Sequence, residues 1–287
     1  MQIQTYSICV GNQACNAKCP FCVAKMTPKM GAEKKREINW QRFKIGCQYA
    51  KDSGVSTVLF TGKGEPTLFP EEVSNFLYGI GEYKFPFVEL QTNGLSLLSE
   101  DIQKCLREWR GYGLSTIVLS VAHYGDDKNQ EIYTPNTMYS PLATKINMLH
   151  EKGFSVRLSC VLMVGYIDLI EEMENMIYFC KRLGVEQLTF RQLGIPYNSV
   201  NPEVEEFVRV HKLSDNKIRD IRKWFDSCGT KLMQLMHGAT VYDYQGQNVC
   251  LADCLTIDPT QEKLRQLIFS NDNHLRYDWQ YEGAILL

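Results

Sequence analysis

The chain has 287 residues, 44% of them hydrophobic and 22% charged, a balance that excludes a disordered or fibrous protein and allows a sizeable core. Lysine plus arginine (31) nearly matches aspartate plus glutamate (33), for a net charge of -2, so composition argues against a nucleic-acid partner. No run reaches the ~18 apolar residues of a membrane span. The start, MQIQTYSICVGNQAC, lacks a basic region leading into an apolar one, so the expectation is a cytoplasmic chain with no membrane partner and mostly reduced cysteines.

Along the chain, short β-branched or apolar runs alternate with longer amphipathic stretches, the rhythm of a parallel α/β sheet. The first predicted strand, YSICV from Tyr6, runs into CNAKCPFC, a loop that spaces Cys15, Cys19 and Cys22 as C-x3-C-x2-C. In a reducing compartment such a close set reads as metal-binding or catalytic. Three thiolates can bind three irons of a [4Fe-4S] cubane and leave the fourth to a non-protein ligand. The competing reading is a zinc site completed by Cys250 and Cys254 of CLADC.

The second strand, TVLFTG from Thr57, ends in FTGKGEPTL, where Gly64, Glu65 and Pro66 form a turn that lets an anionic acceptor and backbone approach a ligand. The third, FVELQTNG from Phe87, sets Glu89, Gln91 and Asn93 on one face. The fourth, STIVLSVA from Ser115, carries Ser120 and leads directly to His123 and Tyr124. At the C-terminal end of a barrel strand these two are placed to handle a proton or a radical.

In the fifth strand, SVRLSCVLM from Ser155, Arg157 and Ser159 lie on the face opposite Val156, Leu158, Cys160 and Leu162. The sixth, QLTFRQL from Gln187, sets Thr189 and Arg191 together. A polar stripe on several strands suits a cavity wall. Arg157 and Arg191 against Glu89 make that cavity cationic, matched to a carboxylate or phosphate.

Between strands the helical pattern is clearest in DLIEEMENMIYFCKRLG, where Leu169, Met173, Met176, Ile177, Cys180 and Leu183 recur at one-face spacing before Gly184. Six βα units are too few to close an eightfold barrel. That leaves an open, partial barrel or a doubly wound sheet, and the polar stripe favours a cavity wall, so the expected fold is α/β, a partial (β/α)6 TIM-like barrel over residues 1–197. Residues 198–287 are expected to pack on it as an extension, helical over 200–228 and then short strands with a hairpin turn at Asn271 to Asn273.

Taken in this order, C-x3-C-x-aromatic-C after a first strand and G-x-G-E-P after a second resemble the radical S-adenosylmethionine (SAM) superfamily, with Lys63 where the usual G-G-E-P has its first glycine. The resemblance spans about residues 5–197. VRLSCVLMVGYID and LGVEQLTFRQLGIP are similar to the fifth and sixth strands of the molybdenum-cofactor branch that rearranges GTP. What the resemblance implies is a [4Fe-4S] cluster on Cys15, Cys19 and Cys22, with SAM on the open iron. The Gly64–Glu65 turn would then receive the methionyl ammonium, and Phe21, Ser120 and Leu193 the adenosine, with Asn93 and Ser159 as further cofactor contacts.

It implies, too, one-electron cleavage of SAM to a 5′-deoxyadenosyl radical and a low-potential electron donor such as flavodoxin or ferredoxin. The substrate expected is a small anionic molecule met by Gln91, Arg157 and Arg191, with His123, Tyr124 and Arg157 as catalytic candidates. RNA or peptide modification is the alternative within the enzyme class, and a zinc-binding interaction module the alternative outside it. Cys250 and Cys254, with Cys228, fall short of the second-cluster set of the molybdenum-cofactor branch.

Overall fold

In the computed structural model, residues 3–34, 37–135, 138–235, 238–252 and 264–287 are described; Cys254 lies outside them. The six predicted strands form as β1 (Thr5–Cys9), β2 (Thr57–Thr61), β3 (Phe87–Thr92), β4 (Thr116–Val121), β5 (Ser155–Leu162) and β6 (Gln187–Gln192). Five more follow: β7 (Thr230–Gln234), β8 (Thr240–Tyr244), β9 (Gln247–Ala252), β10 (Gln266–Phe269) and β11 (Leu275–Arg276). The helices are α1 (Val23–Met26), α2 (Trp40–Asp52), α3 (Pro70–Ile80), α4 (Glu100–Gly111) and α5 (Asp126–Tyr133). α6 (Leu142–Glu151), α7 (Ile170–Arg182), α8 (Pro202–His211) and α9 (Asp215–Cys228) complete the set.

All eleven strands among the described residues share one sheet, in the order β11-β10-β1-β2-β3-β4-β5-β6-β9-β8-β7. From β10 through β1 to β6 and on to β9 every neighbouring pair is parallel. The sheet is an open, partial barrel, as expected. The C-terminal residues do more than pack on it: β10 adds a parallel strand before β1, and β9 adds one after β6. The predicted hairpin forms between β10 and β11, with Asn273 in the left-handed region (φ 66°) that asparagine tolerates better than most residues.

Side-chain alternation positions the site. In β5, Val156, Leu158, Cys160 and Leu162 are buried against the helices, while Arg157, Ser159 and Val161 are half-buried on the other face. The outward face joins the main core, which runs from Ile8 and Phe60 through Leu90 and Leu119 to Phe190 and Leu251. The inward face of the barrel follows from register. Gln91 pairs with Val118 and Val118 with Arg157; Ser120 pairs with Ser159, Ser159 with Thr189, and Thr189 with Cys250.

The helix predicted around DLIEEMENMIYFCKRLG is α7, and Met173, Met176, Ile177 and Cys180 are its buried stripe. Leu169 departs from the expectation. It is the extended residue before the first turn and is 54% exposed, because the helix starts only once Glu171 and Glu172 can face its N-terminal dipole. Gly184, at φ 69°, ends the helix in the left-handed conformation that favours glycine.

Candidate functional site

Cys15, Cys19 and Cys22 occupy the loop between β1 and α1, all as free thiols. Cys22 is the residue on which α1 begins. Burial pushes the Cys15 and Cys19 thiols up, and each feels the charge of Cys22. Held as thiolates, such a set calls for a cationic centre that offsets burial and mutual repulsion. Among the described residues no three His, Cys, Asp or Glu side chains surround a position for a single ion; three thiolates on three different irons have no need to. The donor set fits a cluster.

The turn after β2 holds this loop in place. Glu65 N–H donates to Ala14 O at 2.9 Å. A Cβ on Gly64 would sit 2.2 Å from Ala14 O and 2.4 Å from Asn12 O. Glycine is therefore required here by the backbone of the cysteine loop itself, where the sequence suggests room for a ligand.

Glu65 is 3% exposed. Its Oε1 accepts from Thr67 N (3.0 Å), Thr67 Oγ1 (2.7 Å) and Thr92 Oγ1 (2.6 Å), and its Oε2 from Asn93 N (2.9 Å). Burial raises its carboxyl, and these four bonds offset part of the rise. The glutamate thus ties the second strand's turn to the QTNG segment. With one bond on Oε2, a carboxylate still has acceptor capacity for one further donor there.

Asn93 extends the tie. Its Nδ2 donates to Asn16 Oδ1 at 2.8 Å and lies 3.7 Å from Cys15 Sγ, and its Oδ1 accepts from Leu95 N. Lys63, in the position of the missing glycine, is 8% exposed and donates to Thr27 Oγ1 at 2.7 Å.

Phe21 and Leu193 belong to one apolar patch with Ala122, Met163 and Tyr133, and the Phe21 ring meets Tyr133 edge-on at 6.1 Å. Ser120 and Ser159 are paired residues on the adjoining lumen face. Of the residues expected around an adenosine, Phe21 and Leu193 thus share one patch with Cys19, while Ser120 and Ser159 are neighbours of each other on β4 and β5.

Deeper in the lumen, Arg157 clasps Glu89 through two bonds of 3.2 and 2.5 Å, a bidentate pair that compensates both charges. Gln91 accepts from Thr61 Oγ1 at 3.2 Å. Arg191 stands differently: its Nε is buried with no acceptor among the described residues. Its charge and that of Arg157 reach Cys250 on β9, whose thiol burial pushes up and the two guanidinium groups pull down. Cys250 is a residue the sequence could not place on the lumen wall, because its register opposite Thr189 exists only once β9 pairs with β6.

His123 and Tyr124 are not gathered with these groups. His123 Nε2 lies 3.4 Å from Glu172 Oε2, and Tyr124 donates to the same oxygen at 2.9 Å. His123 Nδ1 accepts from Gly125 N–H at 2.8 Å, which leaves the ring proton on Nε2 toward Glu172. Burial lowers the His123 pKa against the pull of Glu172. Tyr124 packs on the main core. The expected acid–base pair is thus engaged in bracing the start of α7, because an acidic first turn lies within reach of both side chains.

The family model of the radical SAM superfamily matches residues 10–180. The chain belongs to that superfamily, whose members bind a [4Fe-4S] cluster and SAM. Among curated proteins none matches the chain. Among solved structures, Streptococcus suis SuiB bound to S-adenosylmethionine aligns with TM-score 0.63 and 15% identity over 98% of this chain and 61% of that one. Native anSMEcpe, with bound AdoMet and Cp18Cys peptide, aligns with TM-score 0.54 and 14% identity over 97% of this chain and 74% of that one. Methylornithine synthase (PylB) aligns with TM-score 0.53 and 14% identity over 77% and 62%. These likenesses are of fold. The chain spans about three fifths of the length of SuiB.

Proposed function

We propose that the chain is a radical SAM enzyme acting on a small anionic substrate held in the barrel lumen. Cys15, Cys19 and Cys22 would carry the cluster, and SAM would lie between the Gly64–Glu65 turn, Asn93, Ser120, Ser159, Phe21 and Leu193. When bound, the cluster and SAM supply reductive cleavage to methionine and a 5′-deoxyadenosyl radical that abstracts a substrate hydrogen.

The chain's own part is positional. Glu65, saturated on Oε1, fixes the turn and leaves Oε2 to receive an ammonium. The patch of Phe21, Leu193 and Tyr133 excludes water from the adenosine side. Arg191 offers the substrate a guanidinium whose buried Nε has no acceptor among the described residues, and this is the observation that carries the anionic assignment. Arg157, neutralised by Glu89, would orient the substrate through an already balanced pair. His123 and Tyr124 receive no step.

The sequence likeness to the molybdenum-cofactor branch is the support for a nucleotide as that anion. A low-potential donor such as flavodoxin or ferredoxin would supply the electron, in the cytoplasm; no described helix is long and apolar enough to cross a membrane. A peptide is the second reading. It is favoured by β7, whose five residues are all exposed along the outer edge of the sheet, where an extended chain can add as a strand.

The test is anaerobic reconstitution followed by SAM and dithionite. Iron, sulfide and 5′-deoxyadenosine are expected, and their absence from fully reconstituted protein, with candidate anions present, rejects the reading. Stoichiometric zinc in a colourless protein would favour the interaction module.

A further inference from the structure

Lys63 stands on the turn whose usual residue is glycine, and a lysine there has to put its ammonium somewhere. It is 8% exposed. Its Nζ donates to Thr27 Oγ1 at 2.7 Å and lies 5.4 Å from the centre of the Trp279 ring. Thr27 Oγ1 in turn is bound to Val23 O and Ala24 O, at the start of the one-turn helix that begins on Cys22. At 1.5 Å of rise per residue, the ammonium is therefore anchored roughly one helical turn from a cluster ligand.

Its two direct contacts are neutral, and the Arg276 guanidinium is near enough to oppose its charge. A hydroxyl and an indole face accept a cation without cancelling its charge. Among the described residues no carboxylate pairs with Lys63, and the nearby groups that favour its charged form are the thiols of Cys9 and Cys22. Burial lowers its pKa to about 8, which leaves it protonated at neutral pH. Trp279 reaches this position because the C-terminal hairpin is tied to the same loop: Asn271 Nδ2 donates to Gly11 O at 2.7 Å, and the hairpin backbone lies against Gly31.

We propose that Lys63 is a positioning residue for charge: its buried ammonium, presented by Thr27 and Trp279 beside Cys22, holds the reduction potential of the cluster above that of a chain with a neutral residue there. The inference rests on the proposed cluster at Cys15, Cys19 and Cys22. Taking up an electron makes a thiolate-bound cluster more negative, and a fixed cation nearby stabilises that state more than the oxidised one. Thr27 and Trp279 then have a purpose that the radical chemistry alone leaves unexplained.

The experiment is an EPR-monitored redox titration of reconstituted wild type, Lys63→Met, Lys63→Gln and Lys63→Arg, with iron content measured and the thermal midpoint of each apoprotein recorded. The expected result is a shift to more negative potential in both neutral variants and little shift in Lys63→Arg. Two neutral variants of different shape guard against one that fails to fold. Equal potentials in all four proteins, whatever their thermal midpoints, overturn the proposal and leave the cluster assignment standing. A wild type that holds no [4Fe-4S] signal overturns the cluster assignment and this inference with it.

Discussion

Two ends of the same lumen are built in opposite ways. At the β1–β3 rim, the cysteine loop, the GKGEP turn and the QTNG segment are locked by a glutamate with four donors and a glycine with no room for a Cβ. At the β5–β6–β9 wall, Arg157 and Glu89 close on each other while Arg191 Nε and the Cys250 thiol are left without hydrogen-bond partners among the described residues. The locked end suits a cofactor that must sit in one place. The open end keeps polar capacity for something that arrives from solution.

The comparison breaks most completely at the cysteines. Replacing Cys15, Cys19 and Cys22 together by alanine is expected to abolish bound iron and sulfide and all 5′-deoxyadenosine, measured by iron assay and product chromatography, with the apoprotein still folded.

At the locked end, Glu65→Ala is expected to destabilise the chain by at least about 3 kcal/mol in urea unfolding, because four donors each lose an acceptor worth on the order of 1 kcal/mol. Gly64→Ala should cost about 1–3 kcal/mol and lower iron occupancy, since its Cβ meets Ala14 O at 2.2 Å and the cysteine loop has to move.

At the open end, Arg191→Gln should leave unfolding almost unchanged and weaken binding of the proposed anionic substrate by about tenfold or more, the value of one charge-assisted bond. A large stability loss with unchanged KM would place Arg191 with the locked residues instead.

The smallest effect is at the hairpin that carries Trp279. Burial would raise the Asp272 carboxyl, yet Ser270 and Arg276 outweigh it and hold it below its ordinary value. A depressed carboxylate contributes stability above its unfolded pKa and loses it as pH falls through the folded one. Asp272→Asn should therefore be less stable than wild type at neutral pH, with the difference closing as pH falls through the lowered carboxyl pKa.

How much of this was legible follows the same division. Local chemistry marked the locked end, because a cubane needs three thiols at short spacing and a close backbone approach needs glycine. Strand parity likewise put Gln91, Arg157, Ser159 and Arg191 on the lumen face, and the register agrees. Parity cannot see what a side chain meets across space. It set Glu89 against both Arg157 and Arg191 without saying which one holds it, and the bond is to Arg157; His123 and Tyr124, expected at the chemistry, meet Glu172.

The sequence by itself determined the βα rhythm, the inward stripe and the cysteine triplet with its turn, since each depends on residues close along the chain and on a period of two or 3.6. Only the tertiary structure decided that β9 and β10 extend the parallel sheet at both ends, that Cys250 joins the lumen and that Lys63 lies under Trp279. These depend on pairings across as many as 261 residues, from Thr5 to Gln266, which no local pattern encodes because strand partners are chosen by the packing of the whole sheet.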